Sequence, residues 1–213
     1  MGIRAAASTD IPTHSTPSPS TMRPEETQRL RQTAAAFSQL LRSHDIPHAF
    51  HGNFLVSLVS RRQLCEEMVC IVENGQRHAF RRVRDALASS EDFRTVFSPW
   101  TNRLHVTYTE LIPSIEFEIL PAGETGPLRL TLHTVMKIQG VPFLTITEYV
   151  RAKLNSWIIR RLELDAHDLL YVLARYWNSV DANRISDTDM NVFVHENPDA
   201  APPWAAIRRK YDL

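Results

Sequence analysis

The run Met68-Val69-Cys70-Ile71-Val72 constrains this chain more than any other segment. It follows Glu66-Glu67 and stops before Asn74-Gly75, a turn-forming pair. A short apolar run with such boundaries reads as a buried strand. Helical and strand patterns alternate around it. Pro24 opens a helix with Glu25 and Glu26 in its first turn, where the helix dipole favours anions. Leu30, Ala34, Phe37, Leu40 and Leu41 recur at helical spacing, and Asp45 and Pro47 end the helix. A strand over 48–51, a turn at Gly52-Asn53 and a short helix over 54–60 lead to the apolar run. Residues 76–89 then read as a helix, with Arg77, Arg81, Arg82 and Arg84 on its wet side. The middle of the chain predicts strands over 95–97, 104–109, 115–120, 128–132 and 134–138, the last closed by Gln139-Gly140. Thr147 caps a helix to about residue 161, and Asp165 starts another that carries Leu169, Leu170, Val172 and Leu173.

This order predicts an α/β (α+β) fold, a mixed β-sheet with helices packed on it. It lacks a regular βαβ alternation and has no GxGxxG or Walker A loop, which excludes the phosphate loops visible in a sequence. Residues 1–23 are rich in Ser, Thr, Pro and Ala and are expected to be disordered, because they bury too little surface to offset their ordering entropy. The folded domain is expected over 24–178, and 179–213 reads as an irregular extension closing in a short basic helix near Trp204. Lys plus Arg balance Asp plus Glu at 24 each, unlike a strongly basic nucleic-acid binder. Cys65 and Cys70 are too few for a disulfide framework and sit in apolar surroundings, so both are expected as buried thiols of a reducing compartment. With no secretory signal and no run long enough to span a bilayer, a soluble cytoplasmic protein is expected.

One constellation carries chemistry. Phe50-His51 ends a strand, Gly52-Asn53 follows, then a short helix, Ser60-Arg61-Arg62, then Glu66-Glu67-Met68-Val69-Cys70-Ile71-Val72, and much later Ser114-Ile115-Glu116-Phe117-Glu118-Ile119. This order resembles the minimal form of the nucleotidyltransferase superfamily over roughly residues 30–175. That family has a strand, a Gly-Gly turn, a helix, a Gly-Ser step, an Asp-x-Asp strand and a third Asp on a later strand. In the resemblance Gly52 matches the first turn glycine, Glu67 and Val69 fall on the two acids, and Glu118 or Glu116 falls on the third. Lys153 falls near the family's basic helix position, and Asp165 with Asp168 fits its later helix start. The implied fold is a nucleotidyltransferase-like mixed sheet flanked by helices, with further helices toward the C-terminus.

The resemblance implies Mg²⁺-dependent phosphoryl chemistry, in which metal ions neutralise developing charge. Residues two apart in a strand share a face, so Asp-x-Asp sets two carboxylates side by side for a metal that prefers hard oxygen ligands. Val69 offers an isopropyl group instead, and Asn53 and Ser60-Arg61 depart from the Gly-Gly and Gly-Ser patterns. No metal is therefore expected, with Glu67 and Glu118 as weak candidate ligands. The candidate catalytic residues are Glu67, Glu116, Glu118 and His51, and the candidate ligand contacts are Gly52, Asn53, Ser60, Arg61, Arg62 and Lys153. Each has a plainer reading: a solvated strand face for Glu116 and Glu118, surface charge for Arg61 and Arg62, and a solvated helix face for Lys153. His44, His48 and His51 share no helix face, and Trp157, Tyr171, Tyr176 and Trp177 read as packing aromatics. Three functions stay open. The first is a protein with an eroded metal site that binds a small molecule or a protein partner. The others are metal-free acid–base chemistry in the same cleft, and divergent Mg²⁺-dependent nucleotidyl transfer.

Overall fold

A computed structural model describes residues 24–60, 68–98 and 103–213. The N-terminal 23 residues, Cys65 and the candidates Arg61, Arg62 and Glu67 lie outside them. In chain order the elements are α1 (Pro24–Ser43), β1 (His48–His51), α2 (Asn53–Ser60), β2 (Val69–Val72), α3 (Ala79–Leu87), β3 (Phe93–Ser98), β4 (Arg103–Tyr108) and β5 (Ile115–Pro121). There follow β6 (Val135–Ile138), β7 (Val141–Leu144), α4 (Ile146–Arg160), α5 (Glu163–Tyr176), α6 (Asp187–Glu196) and α7 (Ala201–Lys210).

The described strands form one seven-stranded mixed sheet in the order β3-β4-β5-β2-β1-β7-β6. β2 lies in the middle, antiparallel to β1 and parallel to β5. All four of its residues are buried, as expected of a strand covered on both faces. Alternation divides the sheet into two faces. Phe50, Cys70, Val72, Phe117 and Ile119 join the main core with Leu30, Phe37 and Leu41 of α1 and Val83 of α3. Ala49, Val69, Ile71, Leu120 and Leu144 form a smaller cluster on the other face, against Leu130.

The structure corrects three expectations. Residues 128–132 form turns and bends rather than a strand. Their backbone is diverted: Leu130 N–H donates to Glu73 Oε2 at 3.0 Å, while Arg129 pairs with Glu73 Oε1 at 2.7 Å. The resulting strap crosses the second face of the sheet. A further strand, β7, was not among those expected, and it pairs parallel to β1 and antiparallel to β6. Residues 179–213 are not irregular up to the expected helix near Trp204, which is α7: they also hold α6, and Met190, Phe193 and Ile207 of the two helices are fully buried in the main core. Thr145 rather than Thr147 caps α4, accepting from Glu148 N–H. Thr147 Oγ1 instead donates to Ser179 O and accepts from Asp181 N–H, tying the C-terminal segment to α4.

Candidate functional site

A row of residues in register crosses the second face of the sheet. His51 in β1 pairs with Val69 in β2, Val69 with Glu118 in β5, and Glu118 with His105 in β4. Directly opposed residues project to the same side. The isopropyl group of Val69 therefore sits between an imidazole and a carboxylate. The three line a cleft of about 300 Å³, walled by Lys153, Asn155, Ser156 and Arg160 of α4 and by Glu124 and Thr125 of the turn after β5. Gly52, at φ 85°, turns the chain from β1 into α2 in a conformation that a β-carbon disfavours.

The expected site residues divide three ways. His51, Gly52, Glu118 and Lys153 line the cleft. Asn53 is buried behind it as the first residue of α2, with no hydrogen-bond partner for Oδ1 among the described residues. Glu116 is not part of the cleft. It lies two residues before Glu118, more than half exposed, and pairs with His105 Nδ1 at 3.2 Å. Ser60 ends α2. The other two histidines have structural partners: His48 bridges Ile46 O and Ser38 Oγ, each at 2.8 Å, and His44 meets Ser89 Oγ at 3.0 Å.

The cleft's charges are committed to one another. Arg103 Nη1 donates to Glu118 Oε2 at 2.8 Å. Lys153 Nζ lies 2.9 Å from Asp165 Oδ1 and 3.0 Å from Asp168 Oδ2, and Arg160 reaches Asp165 Oδ2 at 2.8 Å. The plainer reading of Lys153, a solvated helix face, gives way to a buried ion cluster, its side chain 11% exposed and those of Asp165 and Asp168 4% and 0%. Burial raises the Asp168 carboxyl above its ordinary range, with the Lys153 ammonium opposing the shift. Burial, reinforced by Lys153, pushes His51 down to about 4, so its imidazole is neutral at physiological pH. The Tyr149 hydroxyl, buried beside His51 with ring centroids 5.7 Å apart, is held protonated by burial first and by Asp168 and Asp165 next.

The described residues of the cleft do not fit a magnesium site: Val69 presents an alkyl group on its floor, and Glu118 is engaged by the Arg103 guanidinium. Among the described residues no group of three His, Cys, Asp or Glu side chains could hold a metal ion. Among the described residues, near-octahedral oxygen coordination has no donor set there. Sequence reasoning missed Arg103, Arg160, Thr125 and Tyr149. Only Arg103 left a trace, as the first of the alternating polar residues Arg103, His105 and Thr107 in β4.

No protein-family model matches the chain, and no curated protein sequence does either. Solved structures do. An antigenic nucleotidyltransferase-like protein from Paracoccidioides brasiliensis aligns with a TM-score of 0.61 at 17% identity, covering 83% of this chain and 92% of that one. A putative nucleotidyltransferase from H. pylori aligns with a TM-score of 0.53 at 13% identity, covering 87% of this chain and 84% of that one. The fold is nucleotidyltransferase-like. At these identities the likeness concerns the fold alone, and function has to be argued from the site.

Proposed function

We propose that this chain is a nucleotidyltransferase-fold protein with an eroded metal site, binding a small molecule in the cleft without metal-dependent nucleotidyl transfer. The observation that carries this reading is the position of Val69, in register between His51 and Glu118 on the cleft floor. An alkyl group there removes a ligand from the place where two metal-binding carboxylates would converge. Arg103 supplies positive charge beside Glu118 in the fixed form of a guanidinium. Cys70 is a buried free thiol, in keeping with a reducing compartment such as the cytoplasm, and no helix among the described residues is long and apolar enough to cross a membrane.

The test is incubation with each of the four ribonucleoside triphosphates and Mg²⁺ or Mn²⁺, following labelled transfer and pyrophosphate release. No release above background is expected. Release that disappears in Glu118→Gln would overturn the proposal and restore the divergent transferase. Metal-free acid–base chemistry is favoured by one observation, the imidazole of His51 on the cleft floor, whose Nδ1 has no partner among the described residues. A reaction unaffected by His51→Gln would remove that reading.

A further inference from the structure

We infer that the cleft takes an uncharged, hydrogen-bonding ring compound of nucleoside size and rejects polyphosphates, an inference that rests on the small-molecule reading above. Charge balance is the first ground. Among the described residues, the cations lining the cleft are Arg103, Lys153 and Arg160, and each already meets a carboxylate at 3.0 Å or less. Glu124, also in the lining, adds negative charge. A polyphosphate would have to draw Lys153 away from Asp165 and Asp168. Both carboxylates would then stay buried with their compensation reduced, and buried charges are tolerated only when paired. The N-terminal turn of α2, where backbone N–H groups could meet a phosphate, is partly closed because Leu55 N–H donates to Gly52 O at 3.1 Å.

The second ground is what remains uncommitted. Two lining residues present buried polar atoms without a partner among the described residues, His51 Nδ1 and Thr125 Oγ1. Both groups are neutral, the imidazole because burial suppresses its protonation. Asn155 adds an amide to the same wall, and Ser156 a hydroxyl that accepts from Arg160 and retains its own hydrogen. Leu120, Val69 and Ile159 add apolar surface. Neutral donors and acceptors beside apolar contacts suit an uncharged ring. The volume, about 300 Å³, stands at the small end of ligand pockets.

The experiment is calorimetry on the full chain in metal-free buffer with adenosine, guanosine, cytidine and uridine, each beside its triphosphate. At least one nucleoside should saturate the protein, with affinity insensitive to salt, and its triphosphate should bind about tenfold more weakly or worse. Thr125→Val should weaken the nucleoside about tenfold. His51→Leu should do the same, and its urea unfolding curve checks that it still folds. A triphosphate that binds more tightly than its nucleoside would overturn the inference, as would the failure of all four nucleosides to saturate the protein. Tighter triphosphate binding without turnover would leave the proposed function standing, whereas metal-dependent turnover would remove the proposed function itself.

Discussion

Replacing Lys153 with Met tests the ion cluster behind the cleft. The thioether side chain retains much of the lysine stem's bulk and removes its charge. Asp165 keeps Arg160 at 2.8 Å, so the loss falls mainly on Asp168, whose side chain is fully buried. Removing one partner of a buried pair costs about 3–5 kcal/mol, and the surviving Arg160 contact places Lys153→Met near the lower figure. With an m-value of about 2 kcal/mol/M, a loss of about 3 kcal/mol moves the urea midpoint down by about 1.5 M. The sign of the pH dependence follows from Asp168. Its carboxyl is already raised by burial against the opposing lysine, and without the lysine it rises further. A carboxyl raised in the folded state destabilises increasingly as pH rises through its folded value, and the penalty is relieved as pH falls toward the ordinary carboxylate range. The midpoint difference between variant and wild type should therefore be largest near neutrality and shrink at about pH 5. Taking the difference cancels the background titration of His48, and the upward move of His51 on losing Lys153 shrinks the difference at low pH in the same direction. A variant within about 0.3 M of wild type at neutral pH, or an equal shift at both pH values, would refute the reasoning.

Other expectations follow from single groups. The imidazole of His51, held at about 4 by burial and by Lys153, should show no NMR titration between about pH 5.5 and 8; a midpoint near 6.5 would contradict its burial. His48 is lowered to about 4 as well, by burial first. The stability these two groups contribute is present above 6.5, their ordinary value, and is lost as pH falls toward 4, at about 1.4 kcal/mol per pH unit for each. Gly52→Ala should cost about 1–2 kcal/mol, because φ is 85° at the turn into α2; an unchanged melting temperature would show that the turn relaxes freely.

The floor of the cleft was legible in the sequence because it is built from short-range patterns. The apolar run at β2, the turn at Gly52 and the alternating strand at Glu118 each left a local signature. Placing Val69 and Glu118 together came from the order of motifs, and the parallel β2–β5 pairing puts them in register. The walls were not legible. Lys153 meets Asp165 and Asp168 only because α4 and α5 pack against each other, a tertiary event with no local pattern. Arg103 reaches Glu118 across an antiparallel pairing set by β4. Of the two C-terminal helices, α7 was expected near Trp204, and α6 was hidden for a different reason: it is mostly polar and anchors through Met190 and Phe193, too sparse to mark a helix by periodicity.

The proposed loss of metal-dependent chemistry is tested most directly by Mn²⁺ titration followed by electron paramagnetic resonance, on the wild type and on Val69→Asp. The substitution sets a carboxylate between His51 and Glu118 on the same face of the sheet. The wild type should show no saturable Mn²⁺ site, and Val69→Asp should gain one. A saturable site in the wild type that is lost in Glu118→Gln would contradict the account, because the cleft would then still hold the metal that Val69 is argued to have displaced.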